Sequence, residues 1–275
     1  MKQITTYILT FLAVSLFYLL ALPLQKVVVF PLTGFVHTID SIILILIGGK
    51  LWRDLATKQA TSPAKAYFMY FFVTVGIFQL IMGLSHVILY IDAALFPIVM
   101  NWGYIVGHVF LYLSLAFSLM VPLELSFPGK KVKYYAASLI SLFGLGITYI
   151  NIIKPNHPVY ESATGITFFN ADPLVGKLIP IIVLLSWGVA VVMFIWNAIK
   201  SRHNRMALIR SIVISVGFII TTAGGPLHDV AQTSVQFLVA DILTLLGFLT
   251  LASGITLFGQ DEPVVAATPQ PLQQG

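Results

Sequence analysis

Residues 178–199 read LIPIIVLLSWGVAVVMFIWNAI, 22 positions without a single charged side chain. A bilayer core needs about 20 apolar residues in helical form, so this one stretch is long enough to cross it. Its apolar residues run on without the alternation of a barrel strand, which excludes a transmembrane β-barrel. The same ruler moved along the chain finds seven more runs. The eight expected spans are 4–22, 28–50, 66–91, 97–121, 132–153, 174–199, 207–226 and 232–258. Turn chemistry separates them at Pro23, Ala60-Thr61-Ser62-Pro63, Phe96-Pro97, Phe127-Pro128-Gly129, Pro155 through Pro173, and Gly224-Gly225-Pro226.

Composition agrees with this reading. The 275 residues are 58% hydrophobic and 9% charged, with mean hydropathy +0.95. A soluble domain carries about 25% charged residues to solvate its surface. There are no cysteines, which removes disulfides, thiolate metal sites and iron–sulfur clusters. The expected fold is all-α: a polytopic helical membrane bundle of about eight helices. It forms one domain over residues 1–259, followed by a disordered cytoplasmic tail over residues 260–275 with Pro263, Pro269 and Pro271. The first run follows Lys2 like a signal peptide, but it is longer than a signal core and no clear small-residue cleavage site follows. It is read as a retained helix.

Eight spans put both termini on one side. Lys2, Lys50, Arg53, Lys58, Lys65, Lys130, Lys131, Lys133, Lys200, Arg202, Arg205 and Arg210 share that side, against Lys26, Lys154 and Lys177 on the other. Basic residues gather on the cytoplasmic face of plasma-membrane proteins, so both termini are expected inside. The net charge of +5 then reflects topology rather than a nucleic-acid patch. The longest outer connection, 154–173, is long enough to fold over the outer surface.

Ionisable residues inside spans are expensive and mark function. His37, His86, His108 and His228 fall at depths of roughly 13, 8, 16 and 0 Å below the outer boundary. His157 lies in the outer loop, and His203 in the basic cytoplasmic one. Helical spacing groups each histidine with other polar or small residues. The second span carries Gly34, His37, Asp40 and Ser41; the third carries Gly76, Gln79, Gly83, His86 and Tyr90. On the fourth are Asn101, Tyr104, His108 and Tyr112, and on the seventh Thr221, Gly225 and His228. The eighth adds Gln232, Gln236 and Asp241. Such stripes must face protein or a wet cavity, because lipid cannot satisfy them. Glycine precedes histidine by three residues at Gly34, Gly83 and Gly225, leaving room for a flat macrocycle or for a closely packed helix.

Three chemistries fit this constellation. The first is a membrane electron-transfer subunit holding b-type haem through histidine pairs, with His37 and His108 preferred and His86 and His228 as further ligands. Asp40 and Asp229 would orient imidazoles, with Tyr104 and Asp241 nearby. Tyr90, Trp102 and Tyr104 could line a quinol pocket. No outer arginine is available to pair with haem propionates, leaving Lys26, Lys154 and Lys177. Such a subunit would sit in lipid and work in a hetero-complex with an outer-face redox protein or catalytic subunit. The second is a bare copper, zinc or iron ion held by the same imidazoles and a carboxylate; Met82 and Met100 tilt this toward copper. No H-E-x-x-H cassette supports it. The third is a proton- or cation-coupled transporter or sensor, with a path from His228 and Asp229 to Asp40, His108 and Asp241. The inner halves of the spans are nearly free of ionisable groups. A phosphate loop, a retinal lysine and a nucleophile elbow are all missing, which excludes nucleotide motors, rhodopsins and serine hydrolases.

Overall fold

The structure is a computed structural model that describes residues 31–57 and 62–256, with residues 12, 13 and 16. The expected span at 4–22 and the tail at 260–275 lie outside the described residues. The elements are α1 (Leu32–Ala56), α2 (Pro63–Ser85), the single turn α3 (Ile88–Ile91), α4 (Phe96–Ser126) and α5 (Val132–Ile153). A hairpin of β1 (Val159–Glu161) and β2 (Ile166–Phe168) follows. The chain then continues through α6 (Pro173–Val183), α7 (Val189–Lys200), α8 (Arg205–Val230) and α9 (Ser234–Thr256). α6 and α7 form one rod joined by a π-helical turn, Leu184–Gly188.

Seven of these rods, among the described residues, are long and apolar enough to cross a membrane. They mark an all-α bundle and a multi-pass membrane protein. Each rod packs on its neighbour in sequence, and α9 returns to α1. Van der Waals packing drives such association, because lipid tails are as apolar as leucine. The centre is aromatic: the Phe71 ring meets Phe72, Trp187, Phe218 and Phe248 at 5.0, 6.4, 6.1 and 6.0 Å. The π turn presents Ser186 to α4, where its hydroxyl donates to the Leu115 carbonyl at 2.5 Å.

Two expected boundaries move. Pro226 does not end its helix; α8 runs on to Val230 with Pro226 inside it. Proline lacks only one donor, and near a helix end few ladder bonds remain to lose. Likewise α4 continues past Pro122 to Ser126. The basic end is stitched by ion pairs, Lys65–Asp54 at 3.0 Å and Lys133–Glu124. Lys133 also lies 5.1 Å from the Tyr134 ring centre.

The long connection at 154–173 folds back over the helix ends. β1 and β2 pair antiparallel, Val159 opposite Phe168, around a turn in which Gly165 takes φ +72°, a conformation natural only to glycine. Three helices hold the hairpin. Thr33 of α1 donates its amide to the Gly165 carbonyl at 3.3 Å and accepts the Thr167 amide at 3.0 Å. Ser234 of α9 donates to the Thr164 carbonyl at 2.7 Å. The α2 contact belongs to the histidine site. At the start of α6, the Asp172 carboxylate caps the Leu174 amide at 2.9 Å and pairs with Lys154 at 3.2 Å. The amide bond first, then Lys154, hold this carboxyl below its usual range. The cap is therefore complete above the ordinary carboxylate pKa and is lost as pH falls through the lowered one.

Close helix contact makes a stability prediction. A Cβ at Gly247 would stand 2.6 Å from the Thr221 backbone nitrogen, whereas one at Gly146 meets nothing within 4 Å. Gly247→Ala should cost about 1–3 kcal/mol by overpacking α8 against α9. Gly146→Ala should be neutral or slightly stabilising. Thermal unfolding in one detergent compares the two; equal melting would refute the packing assignment.

Candidate functional site

The four helical histidines all stand in the half of the bundle beneath the hairpin, and each is buried or nearly so. His37 on α1 bonds through Nδ1 to the Gln79 side-chain oxygen on α2. His108 on α4 donates Nδ1–H to the Tyr104 carbonyl at 2.8 Å, with the Tyr104 ring stacked on it at 3.8 Å. His86, at the end of α2, donates Nδ1–H to the Met82 carbonyl at 2.8 Å. That fixes its neutral tautomer, so Nε2 must accept the bond from the Thr167 hydroxyl of β2 at 2.9 Å. His228 on α8 places Nε2 3.9 Å from Asp241 on α9.

The residues expected at the site are thus brought together in part. His37 lies close enough to interact electrostatically with His86, His108 and His228 alike. Phe78 of α2 contacts two of the rings edge-on, with centroids 6.4 Å from His37 and 5.3 Å from His108. Asp40 and Asp241 are completely buried, roughly 12 and 10 Å along their helices from the ends nearest the hairpin. Asp229 is in the last turn of α8, and its side chain is outside the described residues. Among the described residues, no three His, Asp or Glu side chains converge as a metal-binding group.

Donor chemistry and room give different answers for a haem. His37 and His108 each anchor Nδ1, which is how ligand imidazoles are oriented. His86 has both nitrogens engaged by the protein. A Cβ at Gly225 would meet nothing within 4 Å, but the glycines before His37 and His86 do not leave the flat space that a macrocycle needs. A Cβ at Gly34 would meet His86 Cβ at 2.7 Å, one at Gly83 the Thr38 backbone nitrogen at 2.9 Å, and one at Gly107 Phe78 at 3.2 Å. These glycines bring helices together. Met82 and Met100 are buried, and Met82 packs against Gly107. Of the aromatics expected around a quinol, Tyr90 and Trp102 are half exposed while Tyr104 is buried on His108.

Sequence reasoning placed Asn101 and Tyr112 on the α4 stripe but missed the polar face of α5 that meets them. Tyr112 packs directly on Gly144, which has no side chain to block it. Thr148 and Asn151 follow Gly144 on the same α5 face at helical spacing and are buried. Farther out, Asn101 of α4 accepts the Asn156 backbone amide at 2.9 Å. The hydroxyl of Tyr112 and both carboxamide atoms of Asn151 and of Asn156 are buried with no hydrogen-bond partner among the described residues. Each such group costs about 1–3 kcal/mol if it stays unpaired. The run Gly144, Thr148, Asn151 carried the signal, at steps of four and three.

Comparison with protein-family models, with curated proteins and with solved structures finds no match.

The hairpin's seat on His86 gives a prediction. Thr167→Val removes the hydroxyl and leaves His86 Nε2 without its donor. Protease added from the hairpin side should then cleave the 159–168 segment roughly tenfold faster, the equivalent of about 1.4 kcal/mol. An unchanged cleavage rate would show that this bond does not hold the hairpin down.

Proposed function

We propose that this multi-pass protein handles protons. The imidazole–carboxylate set in the outer half of its bundle binds and passes them, as the working site of a proton-coupled transporter or sensor. One observation carries the reading: two carboxylates, Asp40 and Asp241, are 0% exposed at membrane depth, with His228 3.9 Å from Asp241. Hydrocarbon cannot solvate a carboxylate charge, so carboxylates at such depth are kept near groups with which they can share charge or a proton. Imidazole is the natural companion because it changes charge in the physiological range. A buried pair of this kind holds its protons jointly, and adding one changes the charge of the pair rather than of one residue. His37 extends the set toward His86 and His108. The clustering of basic residues at the opposite end supports cytoplasmic termini in a plasma membrane.

Infrared difference spectroscopy of the lipid-embedded protein tests this. Between about pH 5 and 8 the carboxyl and imidazole bands should change together. Asp241→Asn should abolish the carboxyl component and leave helix content intact. No carboxyl or imidazole change across that range would overturn the proposal.

A second reading has its own support. His37 and His108, each anchored at Nδ1, retain Nε2 as the donor that a haem iron would take. An electron-transfer subunit with b-type haem at this pair would dock a redox protein or catalytic subunit on the outer face and draw electrons from quinol. Holding the group would require Phe78 to move aside. The absorption spectrum of purified protein decides. Reduced-minus-oxidised haem bands lost in both His37→Ala and His108→Ala would favour this reading over proton handling, and a colourless protein would end it.

A further inference from the structure

We infer that the α4–α5 seam is a hydrated path along which protons travel between the outer face and His108. The inference deepens the proton-handling reading by giving that site a route. Its geometry stands apart from it.

The register of the two antiparallel helices is fixed at both ends. Tyr112 lies on Gly144, and Asn101 holds the Asn156 amide. Between these points, each outward step on α4 is matched by one on α5. His108 therefore falls at the level of Thr148, and Tyr104 at the level of Asn151. The polar groups of the seam, from its mouth to the histidine, are Asn156 and Asn101, then Asn151, then Thr148, and finally Tyr112 just beyond His108, with Ile105 and Ile147 buried among them. Lys154, exposed and two residues before Asn156 in the chain, is neutralised by its ion pair with Asp172.

The polar atoms here are of a particular kind. Two carboxamides and a phenol hydroxyl are buried without partners among the described residues. All are neutral, and each carboxamide both donates and accepts. An ion would find no counter-charge beside them. A substrate of definite shape would call for a fixed pattern of donors, whereas side chains that offer both roles suit water, which also offers both. Buried water typically makes about three hydrogen bonds to such groups. Thr148 spends its own proton on the Gly144 carbonyl at 3.0 Å, leaving its oxygen to accept from a water.

The inner end is a proton acceptor. His108 gives Nδ1–H to the Tyr104 carbonyl, so in the neutral ring the lone pair is on Nε2. A proton arriving along the water file adds there without breaking the existing bond. His37 is within electrostatic reach of His108 and connects this end to the rest of the set. The titratable groups about His108 are His37, Tyr104 and Tyr112; Phe78 of α2 and Gly144 and Thr148 of α5 supply no charge.

Solid-state NMR of the full chain in lipid, with histidine nitrogens labelled, tests the path. Signals are assigned by His108→Gln and His86→Gln, and magnetisation is transferred from water to each ring. The native protein should show water transfer to His108. Tyr112→Phe, which keeps the packing on Gly144, and Asn151→Leu should each reduce it at least about threefold, with His86 unchanged. A dry His108 ring in the native protein, or full transfer in both variants, would overturn the inference. A dry ring beside pH-responsive carboxyls would remove the path and leave the proton site. A wet ring beside silent carboxyls would do the reverse.

Discussion

Hydrocarbon offers no hydrogen bonds, and every polar group of this bundle has to find its partner inside the protein. That constraint explains where the histidines are. Each lies on an inward stripe, and three spend a ring nitrogen on a nearby oxygen: Gln79 for His37, Met82 for His86 and Tyr104 for His108. It also explains the hairpin. The ends of α1, α2 and α9 on one side of the bundle carry polar groups, and one short ladder of two strands satisfies Thr33, His86 and Ser234 together.

The same constraint separates residues that pack from residues that work. Glycines at Gly34 and Gly83 let α1 and α2 touch, and the threonines that bond their own helix carbonyls, such as Thr38 to Gly34 at 2.8 Å, need nothing more. The completely buried Asp40 and Asp241 cannot be explained in that way. A carboxylate contributes nothing to a tight helix seam that alanine would not do better. Their burial, with the His228 ring 3.9 Å from Asp241, is the best reason for assigning chemistry to this half of the molecule.

Much of the fold was legible because a bilayer imposes length and composition on each rod. The span expected at 132–153 coincides with α5, and the six others that fall on described residues are displaced by a few residues. Proline misled at Pro226, since tertiary packing tolerates the one lost donor. The hairpin was not legible: three-residue strands have no period to detect, and the bond from His86 to Thr167 spans 81 positions. Within the site, the stripes correctly joined Tyr104 to His108 and put Gln79 on the histidine face. They could not tell which helix each stripe would meet. The polar face of α5 went unread because it contains no ionisable residue, only Gly144, Thr148 and Asn151.

The hairpin's three attachments also dictate a sequence of events in biosynthesis. Its seats on Thr33 and His86 belong to rods made earlier, while Ser234 emerges 70 residues after Thr164. The seats on α1 and α2 therefore exist while three rods, α6–α7, α8 and α9, are still to be made, and the third seat exists only once the first turn of α9 has been added.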